Sequence, residues 1–129
     1  MLAMHTDVAR LAAGKYLLVT TFRKDGTPVP TPVWVVEDDD ELLIWTARDS
    51  GKVKRIRRDG AVEVAPCTAR GKPTGPAARG RARLLEATRS EQVRKQVIRK
   101  YGAVGWLVVW GSWVRGGKDR SIGVAITLD

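Results

Sequence analysis

Residues 45–58 of this chain read Trp45-Thr-Ala-Arg-Asp-Ser-Gly-Lys52-Val-Lys-Arg-Ile-Arg-Arg58. They follow an apolar run typical of a buried strand, and they predict a polar turn followed by a short helix with five cations. Because a helix N-terminus offers unpaired N–H groups and a partial positive charge, this arrangement favours a phosphate site. Ser50 would add a hydroxyl donor and Lys52 a full charge. The alternative is a solvated helix face, which is the commoner meaning of a charge run.

The composition describes an ordinary globular chain with a surplus of positive charge. Its 129 residues suffice for one domain, and 43% hydrophobic with 29% charged residues fit that class. The net charge of +9 at pH 7 allows attraction to nucleic acid, acidic membranes or phosphorylated ligands. The cations are scattered over several predicted elements instead of forming one tail, which argues against nucleic acid as a partner.

Single copies of cysteine and histidine exclude several kinds of site. Cys67 cannot form an internal disulfide, and His5 is the one histidine that a catalytic thiol or a mixed metal site could use. Since His5 lies near the terminus, we expect neither kind of site. No apolar run reaches the ~20 residues of a membrane span, and the first residues do not form a signal peptide. We therefore expect a cytoplasmic protein with no membrane partner and no metal.

Turn signals and periodicity divide the chain into strands and helices. Asp25-Gly26 predicts a hairpin, and prolines at 28, 30 and 32 restrict the return strand to an edge or an irregular entry. The predicted strands are 16–23, 28–37, 41–47, 61–67, 79–87 and 121–128. The predicted helices are 7–13, 51–58, a helix behind a capping box at 88–91 that Gly102 closes, and 104–115, where a strand is the alternative. A turn is predicted at 116–119.

The order of these elements predicts the fold class. Six or so strands with hairpin turns, and helices between only some of them, are typical of a mainly β, α+β protein. We expect an antiparallel barrel with short helices packed outside it. No linker, repeat or low-complexity segment interrupts the sequence, so residues 1–129 are predicted to form a single domain.

The order of elements and one motif carry a resemblance to a known family. The motif is a proline-rich strand ending Pro32-Val-Trp, followed by Trp45-Thr-x-x-x-Ser50-x-Lys52-x-x-x-Ile. With the preceding helix, strand and Asp-Gly hairpin, it resembles the pyridoxamine 5′-phosphate oxidase-like split β-barrel family. The likeness covers nearly the whole chain, and it implies a split barrel.

A second motif resembles one branch of that family. Pro66-Cys-x-x-Arg70-Gly-x-Pro-x-Gly75 is similar to a segment of an actinobacterial branch whose members use a deazaflavin, coenzyme F420, in place of FMN. The resemblance implies a homodimer with a cofactor in a groove at the subunit interface, and a small-molecule substrate. Coenzyme F420 carries a phosphodiester, a lactyl carboxylate and a polyglutamate tail, and the net charge of +9 favours it over FMN, which carries a single phosphate.

The resemblance also implies where the phosphate binds. Thr46, Ser50 and Lys52 match the phosphate-binding turn and helix start, and Lys54 or Arg55 would help. The remaining cations of the helix, at 57 and 58, are predicted to form its solvated face.

Two further segments match the surroundings of the cofactor. Thr31, Pro32, Val33 and Trp34 match the strand beside the tricyclic ring, where the family typically uses backbone N–H and C=O groups. Arg70, Gly71, Lys72 and Pro73 match the loop near the cofactor. Within that loop, Arg70 or Lys72 is expected to face the anionic tail.

The implied activity is hydride transfer from reduced F420 to a conjugated or otherwise unsaturated electrophile. The cofactor performs the difficult step, and the protein positions ring and substrate. No acid/base pair stands out in the sequence, so no catalytic side chain is assigned. An FMN-dependent oxidase or reductase, a non-catalytic cofactor-binding protein and a nucleic-acid-binding protein are the alternatives.

Overall fold

The computed structural model describes residues 2–116 and 121–129, with side chains over 7–104, 107 and 121–129. The helices are α1 (Leu2–Ala12), α2 (Gly51–Arg58) and α3 (Ala87–Gly116). The strands are β1 (Tyr16–Phe22), β2 (Pro28–Asp38), β3 (Glu41–Ala47), β4 (Ala61–Cys67), β5 (Ala78–Leu84) and β6 (Ser121–Leu128). All but the first residue of the predicted turn at 116–119 lies outside the described residues.

The six strands close into an antiparallel barrel, which confirms the predicted fold class. The order around the barrel is β1-β2-β3-β6-β5-β4, so β6 lies between β3 and β5. Because successive side chains of a strand point to opposite faces, alternate apolar residues such as Leu17, Val19, Leu42 and Ile44 fill the interior. β5 ends at Leu84 instead of residue 87, because the chain turns there into α3.

Two helices add side chains to the barrel core. Val8 and Leu11 of α1, and Ile56 of α2, belong to the same cluster of buried residues as the inward-facing strand positions. α1 begins at Leu2, earlier than the predicted residue 7, whereas α2 has the predicted bounds. The short basic helix is therefore anchored to the core through its apolar side.

β2 pairs with different strands along its two halves. Its first half, 28–34, pairs with β1, and its second half, 35–38, pairs with β3. Gly26 makes the turn between β1 and β2 with a φ of +88°, a conformation that glycine adopts without steric cost. Among the described residues, no strand lies along the other edge of the first half.

α3 packs on the outside of the barrel and bends at Gly102, which has a φ of +63°. Before the bend, Val93 and Val97 join Val36 and Leu43 in a second apolar cluster. The helix continues to Gly116, so the helical interpretation of 104–115 is confirmed and the strand alternative is wrong. The side chains predicted to form the apolar face of this segment lie outside the described ones.

The predicted capping box of α3 is wrong. The helix begins at Ala87, so Thr88 lies inside it and does not cap it. Ser90, a buried residue of the first turn, instead donates from its hydroxyl to the Leu85 carbonyl and accepts from the Gly123 N–H at 2.9 Å. The first turn of α3 is therefore tied to β6 through Ser90.

Candidate functional site

The N-terminus of α2 carries a partial positive charge that no acidic residue in the first helical turn offsets. Ser50 caps the helix, because its hydroxyl oxygen accepts from the Val53 N–H at 3.3 Å. The first turn contains no acidic residue, and the last turn carries three arginines. An acidic side chain in the first turn would offset the partial positive charge of the free N–H groups. Without one, this end of the helix can attract an anion.

Lys52 lies almost entirely below the surface. Its relative exposure is 7%, and its ammonium donates one hydrogen bond, to the Thr46 hydroxyl at 3.0 Å. No carboxylate pairs with it in the described part of the chain. Burial lowers the pKa of Lys52 from the ordinary 10.5, and the positive charge of Arg55 lowers this pKa further. The surroundings therefore disfavour the charged form unless an anion is present.

Arg55 is a second cation of α2 that is held toward the barrel. Its Nε donates to the Thr21 hydroxyl at 2.6 Å, and Thr21 is 1% exposed on β1. Lys54 differs, since it is exposed and has no partner among the described residues. Arg57 and Arg58 are exposed as well, in agreement with the predicted solvated face, but Arg58 also donates to the Phe22 carbonyl. The five cations of α2 are thus not equivalent.

The unoccupied edge of β2 presents hydrogen-bond acceptors. Val35 donates its N–H to the Tyr101 hydroxyl at 3.0 Å, and this hydroxyl donates to the Lys15 carbonyl at 2.6 Å, so the main-chain groups of Val35 face β1. Main-chain groups of successive residues point to opposite sides of a strand, so the carbonyls of Pro30 and Pro32 face the unoccupied edge. Because proline has no N–H, this edge offers acceptors and no donors at these two positions.

The four residues predicted to lie beside the ring divide between the two faces of β2. Thr31 and Val33 share the inward-facing register, and Val33 packs against the core cluster. Pro32 and Trp34 lie on the outer face. The Trp34 ring stacks on Tyr101 with 4.3 Å between ring centroids and 7° between planes. One indole face is therefore already used for packing against α3.

The loop after β4 folds back over the outer face of β1 and β2. Gly71 has a φ of +86°, and a Cβ there would lie 3.5 Å from Leu18 and 3.7 Å from Pro32. Arg70 and Lys72 flank this glycine; both are exposed, and their side chains have no partner among the described residues. The structure therefore brings the predicted loop beside the predicted ring strand, through Gly71 and Pro32.

The family model for pyridoxamine 5′-phosphate oxidase matches residues 6–124. The chain belongs to this family. No curated protein matches the chain in sequence.

Several solved structures resemble this member of the pyridoxamine 5′-phosphate oxidase family at low sequence identity. An F420 reductase matches with a TM-score of 0.67 at 18% identity, over 94% of this chain and 91% of that one. HutZ, the heme storage protein from Vibrio cholerae, matches with 0.66 at 12%, over 98% and 89%. A FAD-binding protein from Mesorhizobium loti matches with 0.59 at 17%, over 100% and 88%. These likenesses establish the shared fold.

One residue of the candidate site carries no signal in the motif around α2. Thr21 holds Arg55, although the motifs of α2 gave no reason to look at β1. The signal that could have found it is its register, because Thr21 is in phase with the buried residues Leu17 and Val19. A threonine at a core-facing position needs a hydrogen-bond partner.

A cavity of about 290 Å³ lies on the outer face of the barrel, beside the loop after β4. Its lining is mostly apolar and includes Leu18, Pro30 and Pro73, with Glu63 as its carboxylate. No cluster of His, Cys, Asp or Glu among the described residues could hold a metal ion. No helix among the described residues is long and apolar enough to cross a membrane.

Proposed function

We propose that this protein is an oxidoreductase that uses coenzyme F420 and transfers hydride to a small conjugated or otherwise unsaturated electrophile. One observation carries the proposal. Lys52 is a buried cation with one neutral partner, and it lies at the start of a helix whose first turn has no acidic residue. FMN is the alternative cofactor, since it also presents a phosphate.

A phosphate at the start of α2 would supply the acceptors that this region lacks. Lys52 has three N–H donors and uses one of them on Thr46. A buried ammonium without a counter-charge is costly, whereas a phosphate oxygen would form a charge-assisted hydrogen bond with it. Thr46 and Ser50 could each donate a hydroxyl proton to the same anion, and the first N–H groups of α2 would add their partial charges.

The edge of β2 would hold the ring of the cofactor. The carbonyls of Pro30 and Pro32 could accept hydrogen bonds from ring N–H groups, while the missing proline N–H groups keep another strand from pairing there. When bound, the deazaflavin supplies the hydride, and the chain's own contribution is to orient the ring and to shield it from water. We assign no side chain as proton donor.

The rest of the anion distinguishes the two cofactors. Coenzyme F420 continues beyond its phosphodiester into carboxylates, whereas FMN ends at its phosphate. Arg70 and Lys72 are exposed cations beside Gly71, and they could contact an anionic tail that leaves the ring strand. The net charge of +9 also supports the more anionic cofactor through long-range attraction.

We also propose that two copies pair through the outer face of β1, β2 and β4, with the cofactor at the interface. This face carries the apolar cavity of about 290 Å³ and the proline-rich half of β2. A second copy would remove this apolar surface from water. Sedimentation analysis tests the proposal: a dimer is expected at micromolar protein, and a monomer at every concentration would contradict it.

A titration with each cofactor tests the main proposal. The purified protein should change the fluorescence of F420 on binding, and Lys52→Met should weaken this binding by about 1.5–3 kcal/mol, the loss expected for a charge-assisted hydrogen bond. Arg57→Met is the matched control, because it removes an exposed cation from the same helix. Its affinity should stay within about 0.5 kcal/mol of the wild type.

Other results of these titrations would replace or reject the proposed function. Binding of FMN with no binding of F420 would replace the proposal with its FMN alternative. Binding of F420 without hydride transfer to a broad panel of unsaturated acceptors would favour a non-catalytic cofactor-binding protein. Failure to bind either cofactor, or equal losses for Lys52→Met and Arg57→Met, would reject the phosphate site.

A further inference from the structure

We propose that Thr21 and Gly51 together place the guanidinium of Arg55 over the start of α2, which makes Arg55 the second cation of the phosphate site. The inference rests on the proposed function. It adds two positioning residues that neither carry charge nor belong to the motif of α2, and it gives Arg55 a defined role.

Thr21 is the fixed end of this arrangement. It lies on the inward-facing side of β1 at 1% exposure, and its hydroxyl accepts a hydrogen bond from Arg55 Nε at 2.6 Å. A guanidinium has five N–H donors, and Nε carries one of them. The four donors on the two terminal nitrogens have no acceptor among the described residues. Thr21 therefore orients the side chain while leaving most of its hydrogen-bonding capacity free.

Gly51 leaves the space that the guanidinium occupies. A Cβ at this position would lie 2.9 Å from Arg55 Nη1 and 3.5 Å from its Cζ and Nη2. Real Cβ atoms essentially never approach other atoms as closely as 2.9 Å, so a side chain at 51 would force the end of the Arg55 side chain to shift. Gly51 is not among the glycines with positive φ. Glycine therefore matters at this position because it has no side chain, and not because of its backbone conformation.

The resulting charge arrangement is unfavourable without an anion. Arg55 belongs to the last turn of α2 by sequence, where a cation complements the helix dipole. Its guanidinium instead lies at Gly51, at the positive end, and its charge is felt by the ammonium of Lys52. Two cations and a helix N-terminus repel one another there. A phosphate bound at this end would replace the repulsion with attraction to all three.

A bracing role for Arg55 is the competing explanation, in which the bond to Thr21 merely ties α2 to β1. That role predicts a loss of stability on substitution with no effect on the affinity of the folded protein for a phosphate compound. The two explanations therefore differ in binding, not in the contact itself. Affinity measurements on folded variants can separate them.

The test uses Thr21→Val and Gly51→Ala, each titrated with F420 and with FMN. Thr21→Val keeps the shape of the side chain and removes the acceptor of Arg55 Nε, whereas Gly51→Ala introduces the clashing Cβ. Each variant should bind the cofactor about 5- to 10-fold more weakly, the range expected when one charged hydrogen-bonding group is misplaced. Thr21→Ser retains the hydroxyl and should bind like the wild type.

A double-mutant cycle with Arg55→Met decides whether both residues act through the guanidinium. Arg55→Met alone should weaken binding, and adding Thr21→Val or Gly51→Ala to it should cause no further loss. The salt dependence of binding should also become shallower in Arg55→Met, because one cation has left the site. Bracing alone would change neither the affinity nor its salt dependence.

Failure of this inference and failure of the proposed function would give different binding results. If Lys52→Met weakens binding while Arg55→Met, Thr21→Val and Gly51→Ala do not, this inference is rejected and the proposed function stands. If the wild type binds neither cofactor, the proposed function is rejected together with the inference. Additive losses in the cycle would also reject the inference, since they would mean that Thr21 and Gly51 act independently of Arg55.

Discussion

Two lysines of this protein, Lys52 and Lys100, are surrounded very differently. Lys100 donates to three carbonyls, those of Ala12, Gly14 and Val35, at 2.7, 3.0 and 2.7 Å. Lys52 donates to a single hydroxyl at 3.0 Å. Burial lowers the pKa of both side chains. Both ammonium groups therefore lose water on folding. Three carbonyls replace it at Lys100, and one hydroxyl replaces it at Lys52.

Under the proposed function, the difference corresponds to two different roles. An ammonium has three N–H donors, and in Lys100 all of them are used to join α3 to β2, to the last residue of α1 and to Gly14. That is a structural role. Two donors of the Lys52 ammonium and its positive charge have no partner among the described residues. This is the arrangement expected of a residue that binds an anion. Lys52 is buried and Lys100 is exposed as a whole residue, so the more buried lysine is the one with fewer satisfied donors.

Lys100→Met should produce the largest loss of stability. Three main-chain carbonyls would lose a charged donor, and the free energy of unfolding should fall by about 2–3 kcal/mol. Urea unfolding followed by circular dichroism measures this change. The affinity of the folded protein for F420 should remain that of the wild type. A variant of normal stability with weakened cofactor binding would reverse the roles that we assign to the two lysines.

Lys52→Met should have the opposite effect on the protein without cofactor. It replaces a buried cation that lacks a counter-charge with an apolar side chain of similar length, so the free energy of unfolding should rise by about 1 kcal/mol. The same urea experiment measures it. A destabilised Lys52→Met would indicate that the ammonium stabilises the folded chain, and the contrast with Lys100 would then disappear.

The pH dependence of stability should sharpen the comparison. The pKa of Lys52 is lowered in the folded protein, so in alkaline solution below 10.5 the unfolded chain binds more protons, and raising the pH stabilises the fold. Lys52→Met lacks this contribution, so its advantage over the wild type should shrink as the pH rises toward 10.5. Lys100 is present in both proteins and cancels in the difference. A difference that is independent of pH would contradict the lowered pKa.

Arg70→Ala and Lys72→Ala should have the smallest effects. Both side chains are exposed, so each substitution should weaken F420 binding by about 0.5 kcal/mol at low salt and by less at high salt. Binding of FMN should not change, because it carries no tail. Equal losses for the two cofactors would mean that the loop contacts the shared phosphate or ring instead of the tail.

Much of the architecture was readable from the sequence because local signals and burial agreed. The Asp25-Gly26 turn and the bounds of α2 both appear as predicted. The capping box at Thr88 was wrong, since α3 begins at Ala87 and a tertiary contact, the bond between Ser90 and Gly123, holds its first turn instead. The local preference for a cap is worth only about 1 kcal/mol. Where local and tertiary signals conflict, the motif alone is a poor guide.

The sequence by itself determined the barrel, its hairpins and a basic helix behind a hydroxyl-containing turn, since periodicity and turn chemistry depend on neighbouring residues. Only the tertiary structure decided which cations of that helix are special. It buries Lys52, ties Arg55 to Thr21 across the barrel wall, and leaves Lys54 and Arg57 in solvent. The physical reason is that the sign of a side chain's charge follows from the residue type alone. The burial of that charge and its hydrogen-bond partners depend on segments that are distant in the chain.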